Sequence, residues 1–117
     1  YFRLKVDFPL EYAISPETSD RPETWQPGRV IELSARGLKM LIDAPLLPDT
    51  QVSLRFRLPA PPTPMAIQGI VLRVVEQHEH KTLLVAFYPD VPEKWRDAIM
   101  QYLTIAQRAM LRGERVP

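Results

Sequence analysis

Apolar and polar residues alternate one by one along most of this chain, then switch to steps of three and four near its end. The alternation is cleanest in Gln51–Leu58, where Val52, Leu54, Phe56 and Leu58 fall on one face and Ser53, Arg55 and Arg57 on the other. That is the period of a half-buried β-strand. Tyr1–Ile14 is rich in aromatic and β-branched residues and predicts a strand, with Pro9 marking an edge or a bend. Gly28–Leu33 and Leu38–Ile42 predict two more strands that meet at Ala35-Arg36-Gly37, and Pro45–Asp49 predicts a turn. Met65–Val75 and Lys81–Tyr88 form a last strand pair joined by Glu76-Gln77-His78-Glu79-His80. The prolines cluster in Ser15–Pro27, a polar loop, and in Pro59–Pro64, a stiff connector between strands rather than a polyproline ligand.

Beyond Asp90 the period changes. Asp90 and Glu93 have capping-box spacing, and Pro92 suits a first helical turn. Trp95, Ile99, Leu103, Ala106 and Met110 then lay one apolar stripe along a helix of about five turns. Gly113 is a natural stop. The pattern as a whole predicts about six strands in a small barrel over residues 1–89, followed by one amphipathic helix over about 91–112 that covers an opening or a flank. There is no βαβ alternation and no internal repeat.

Composition narrows the function classes. A length of 117 residues fits one domain, and 45% apolar residues suffice for one core. Fifteen Lys and Arg stand against 14 Asp and Glu, a net charge of +1. That balance argues against a general nucleic-acid binder, which leans on a cationic surplus. The absence of cysteine excludes disulfides, thiolate metal sites and cysteine nucleophiles, and fits the reducing cytoplasm. No apolar run approaches the ~18 residues of a membrane span. The chain opens on Tyr1 rather than Met, which leads to the expectation of a fragment with another domain upstream.

Most chemical candidates dissolve on inspection. Ser34 as a nucleophile needs a base and an orienting group behind it, but the histidines, His78 and His80, share a charged hairpin loop, and no Gly-x-Ser-x-Gly elbow is present. Two imidazoles alone make an incomplete metal site. Arg55, Arg57 and Arg73 are read as the solvated outer face of half-buried strands. Phe8, Phe56, Phe87 and Trp95 fall on core stripes. Gln107-Arg108-Ala109-Met110-Leu111-Arg112 ends the helix with cations that complement its dipole.

One segment survives: Glu32-Leu33-Ser34-Ala35-Arg36-Gly37, with Arg3 upstream of it. A carboxylate, a hydroxyl and a glycine at the meeting of two strands make a polar patch open to close approach, and Arg3 adds an anion contact. The combination suits a receptor for a small anionic ligand better than a catalytic centre.

These residues resemble the PilZ domain family, and within it the PilZ domains of YcgR-like flagellar brake proteins. The family pattern is Arg-x-x-x-Arg entering the first strand, then Asp/Asn-x-Ser-x-x-Gly. Tyr1-Phe2-Arg3 is similar to the end of the first motif, with Arg3 as its second arginine and the first lying before Tyr1. Glu32-Leu33-Ser34-Ala35-Arg36-Gly37 fills the second motif, with Glu in place of Asp or Asn. Gly69-Ile70-Val71-Leu72-Arg73 and Val85-Ala86-Phe87 resemble the family's late strands. The resemblance implies a six-stranded antiparallel β-barrel with a C-terminal helix, and a binding module rather than an enzyme. The implied ligand is cyclic di-GMP, with no cofactor or metal. Arg3 would hold phosphate or guanine, Glu32 and Ser34 would read a guanine, Gly37 would permit close approach, and Arg36 is a further contact. The implied output is control of motility through a neighbouring domain or a protein partner such as the flagellar motor. The alternative is a degenerate PilZ domain that does not bind cyclic di-GMP and acts as a protein-interaction module. Oligomeric state is left open.

Overall fold

The computed structural model describes residues 2–14, 24–44, 46–77, 80–87 and 91–117. Six strands follow one another in the chain: β1 (Arg3–Ile14), β2 (Gln26–Ser34), β3 (Gly37–Ile42), β4 (Gln51–Pro59), β5 (Pro62–Gln77) and β6 (His80–Phe87). They close into an antiparallel barrel in the order β1-β2-β3-β6-β5-β4. Closure leaves no free sheet edge around most of the circumference. The alternation in β4 does what its sequence predicts: Val52, Leu54, Phe56 and Leu58 are buried inside, and Arg55 and Arg57 stand outside. Leu10 and Tyr12 of β1, Met40 and Ile42 of β3, and Leu83 and Val85 of β6 complete the interior by the same rule. The rings of Phe8 and Phe56 pack with centroids 5.9 Å apart.

The first half of β1 and the tip of the β4–β5 hairpin extend beyond this regular zone. β1 pairs with β4 only over Leu10–Ile14, so Pro9 sits where its strand has β2 alone beside it. Pro59, Pro62 and Pro64 belong to the paired hairpin, with Pro59 opposite Pro62 and Arg57 opposite Pro64. The connector expected over Pro59–Pro64 is therefore mostly strand. Its prolines are tolerated because this part of β5 has β4 on one side and no strand on the other, so a missing N–H need not break the barrel's ladder.

Helix α1 (Glu93–Leu111) packs against β4 and β5, and Val91, Ile99, Tyr102, Leu103 and Ala106 join the barrel's core cluster. Two details differ from the sequence expectation. Pro92, not Asp90, occupies the N-cap; its carbonyl accepts from the Trp95 and Arg96 N–H groups and no side chain caps the helix. Asp90 itself lies outside the described residues. The buried stripe ends on Ala109 rather than Met110, which is 52% exposed. Gly113, at φ 70°, lets the Gly113 N–H donate to Met110 and the Glu114 N–H to Ala109, a Schellman ending. The segment beyond runs back along that flank, where the Tyr102 hydroxyl donates to the Pro117 carbonyl at 3.1 Å and Val116 packs on the core.

Three register breaks matter for function. Between Lys5 and Phe8 β1 carries one residue more than β2, between Val30 and Glu32 β2 carries one more than β3, and between Val71 and Arg73 β5 carries one more than β6. Such bulges turn side chains to a new face. With Val30 inside, strict alternation would also aim Glu32 inside; the bulge at Ile31 puts Glu32 outside instead. Leu72 and Arg73 face outward together for the same reason.

Candidate ligand-binding cleft

The β2–β3 turn is built by Ser34. Its Oγ donates to the Gly37 carbonyl at 3.2 Å and accepts from the Arg36 N–H at 3.3 Å. The hydroxyl is buried, at 8% exposure, and these two bonds hold the four-residue reversal. The Phe87 N–H donates to the Arg36 carbonyl at 2.9 Å and ties the turn to β6. Gly37 then lies opposite Ala86 so closely that a Cβ on it would run into the Val85 carbonyl oxygen. A Cβ on Gly69 would meet the Ala86 carbonyl at 2.6 Å from the other side. Both glycines let β6 approach its neighbours, so the close approach expected at Gly37 is in this structure an approach of backbone.

Register brings the rest together. Arg3 pairs with Ser34 across β1 and β2, and Glu32 pairs with Lys5 on one side and Lys39 on the other. The carboxylate of Glu32 lies 4.0 Å from Arg3 Nη1 and 3.8 Å from Lys39 Nζ. A cleft of about 210 Å³ is lined by Arg3, Glu32, Ser34, Arg36 and Gly37, so all five residues singled out in the sequence border one space. Its apolar wall is Leu38, Leu72, Leu84, Val85 and Ala86. Ser34 keeps little capacity for a ligand: its one proton is committed to Gly37, and one lone pair remains beside the bond from Arg36.

Sequence reasoning did not find Lys39, Leu72 or Leu84 as parts of this neighbourhood. Lys39 was legible only as an outward position of an alternating strand, and its closeness to Glu32 depends on the β2 bulge. The arginines considered together in the sequence separate. Arg55 bonds to Glu11 at 2.9 Å, stacks over Trp25 at 4.0 Å and holds the Glu11 carboxyl below its usual range through that bond. Arg73 stands apart, beside the cleft region. His80 lies 3.0 Å from Asp43, and His78 and Glu79 lie outside the described residues. Among the described residues no group of three or more His, Asp or Glu could hold a metal, and no helix is long and apolar enough to cross a membrane.

A closed six-stranded antiparallel barrel with a C-terminal helix and a Ser-x-x-Gly turn on its wall defines the structural class of this domain. The family model for the PilZ domain matches residues 1–104, and the chain belongs to the PilZ domain family. Three solved structures share the fold. The Bacillus subtilis inhibitor of motility (MotI/DgrA) superposes with a TM-score of 0.75 at 16% identity, over 97% of this chain and 51% of that one. YcgR from Escherichia coli, in complex with c-di-GMP, gives 0.69 at 14%, over 97% and 47%. The PilZ domain of CeSA from a cellulose-synthesizing bacterium gives 0.60 at 15%, over 89% and 96%. The chain thus spans about half the length of the MotI/DgrA and YcgR chains. No curated protein sequence matches it.

Proposed function

We propose that this domain is a cyclic di-GMP receptor that relays second-messenger level to a neighbouring domain or partner and so controls motility. The observation that carries the reading is the convergence of Arg3, Glu32, Ser34, Arg36 and Gly37 on one cleft. The ligand presents two phosphates and two guanines. Arg3, 55% exposed at its side chain, offers a planar fork to phosphate oxygens or to the guanine O6/N7 edge. The Glu32 carboxylate can accept from guanine N1–H and N2–H₂. The apolar wall gives the base a surface to lie on. Arg3 sits on β1 before its pairing with β4 begins, so a ligand that engages it also orders the entry to the domain, where an upstream domain would join.

A specific observation supports a second reading. Arg3 and Lys39 flank the Glu32 carboxylate, and the Ser34 hydroxyl is committed to the turn, so a ligand has to compete with contacts the domain already makes. On this reading the domain does not bind the nucleotide and serves as a protein-interaction module. Isothermal titration of cyclic di-GMP into the full natural chain separates the two. Receptor function requires saturable binding that Arg3→Ala weakens by about 1.5–3 kcal/mol, the worth of a charge-assisted hydrogen bond. No heat at any reachable concentration rejects it in favour of the interaction module.

A further inference from the structure

A row of cations crosses the outer wall beside the cleft. Lys5 pairs with Glu32, Glu32 with Lys39, Lys39 with Leu84, and Leu84 with Arg73, on five successive strands. Neighbouring strands lie ~4.8 Å apart, so Lys5, Lys39 and Arg73 recur at intervals of ~10 Å over a span of ~19 Å. These three, with Arg3 and Glu32, border a shallow groove of about 660 Å³ whose floor is Ile31, Val75 and Leu84. Four cations face one carboxylate there, although the whole chain balances 15 against 14. In the adjacent row Leu41 stands opposite Thr82 and Thr82 opposite Val75, and on the other side of Leu41 lies Arg29, which is ion-paired with Asp7. Over β3, β6 and β5 the wall therefore presents a cationic stripe with a short uncharged stretch, Leu41, Thr82 and Val75, beside it. Two bulges make this arrangement, since they turn Glu32 and Arg73 outward.

We propose that this wall docks an acidic amphipathic α-helix of a partner protein, laid across the strands. A helix rises 1.5 Å per residue, so carboxylates seven residues apart stand ~10.5 Å apart, close to the repeat of the cation row. Such a helix carries its apolar residues on an adjoining stripe, which meets Leu41 and Val75. A polyanion with a phosphate at every step has no reason to favour a ten-ångström repeat, and its aromatic bases find no aromatic side chain among the described residues that line the groove. The groove shares Arg3 and Glu32 with the cleft of the second-messenger reading and adds Lys5, Lys39 and Arg73, which that reading does not use.

The test uses two synthetic helical peptides of identical composition. One carries three glutamates seven residues apart with leucines alongside, and the other scatters the same residues around the helix. Each is titrated into the ¹⁵N-labelled chain, in parallel with cyclic di-GMP and a single-stranded oligonucleotide. The expected result is salt-sensitive binding of the ordered peptide with shifts at Lys39, Thr82, Leu84 and Arg73, weakened roughly tenfold or more by Lys5→Glu with Arg73→Glu. Arg73→Gln, which removes charge without reversing it, gives a smaller loss, and a native-like spectrum of each variant establishes that it is folded. Equal affinity for the two peptides, shifts confined to other faces, indifference to the substitutions, or tighter oligonucleotide binding on the same row would overturn the proposal. A negative cyclic di-GMP titration leaves these outcomes unchanged, so the two readings fail separately.

Discussion

β4 pairs with β5 from Gln51 to Pro59 and with the second half of β1 from Val52 to Phe56 without a register break. The opposite part of the barrel is different: β1–β2, β2–β3 and β5–β6 each contain one. On the regular side, alternation alone decides what is inside, and outward charges such as Arg55 and Glu11 satisfy one another. On the broken side, an extra residue overrides alternation, turns Glu32 and Arg73 outward, and gathers cations and a carboxylate around a cleft. Regular pairing sustains the fold, and its local interruption positions the chemistry. For outward-facing side chains, position in the barrel should therefore decide whether a substitution is felt as lost stability or as lost binding.

The sharpest break of that division lies in the regular core. Leu54→Ala removes a fully buried side chain and is expected to cost about 2–5 kcal/mol in urea unfolding, with the ligand-cleft residues unmoved in native conditions. Gly37→Ala comes next. Its Cβ has no room against the Val85 carbonyl, a backbone atom that cannot swing aside, so a loss of about 1–3 kcal/mol is expected together with altered amide shifts along β3 and β6. That result would mark Gly37 as a packing residue whose effect on any ligand is indirect. Ser34→Ala loses a turn hydroxyl, and each bond is worth about 0.5–1.5 kcal/mol; Ser34→Thr, which keeps the oxygen, should recover part of it in the same thermal or urea melts. Glu32→Gln is the smallest in stability. Its ion pairs are long and partly solvated, so a change within about 1 kcal/mol is expected, while cyclic di-GMP affinity measured on the same sample shifts by a larger factor. A Glu32→Gln variant that loses several kcal/mol of stability would contradict the division between the two sides.

The same contrast explains what the sequence could reveal. The inside residues of β4 and the amphipathic helix were legible because period two and period 3.6 persist over enough residues to be read locally. The second-motif residues were legible as a group because Glu32, Ser34, Arg36 and Gly37 are close in sequence, and family pattern supplied Arg3. The bulges were not legible. Val30-Ile31-Glu32-Leu33 and Val71-Leu72-Arg73-Val74 contain one residue too many for alternation, and only the pairing with β3 and β6 shows where it goes. The cation row is invisible for the same reason: Lys5, Lys39 and Arg73 belong to three strands far apart in the chain. Met110 fits the helical period of the apolar stripe as well as Ala109 does, and only the packed helix shows that Ala109 is the buried one.

The most direct measurement is a titration of cyclic di-GMP into the ¹⁵N-labelled full natural chain, followed by amide shifts on both sides of the barrel. Saturating shifts at Arg3, Glu32, Ser34, Arg36 and Gly37, with Val52, Leu54 and Phe56 of β4 unmoved, are the expected result. Shifts centred on β4, or none at any concentration, would contradict the assignment of ligand binding to the broken side.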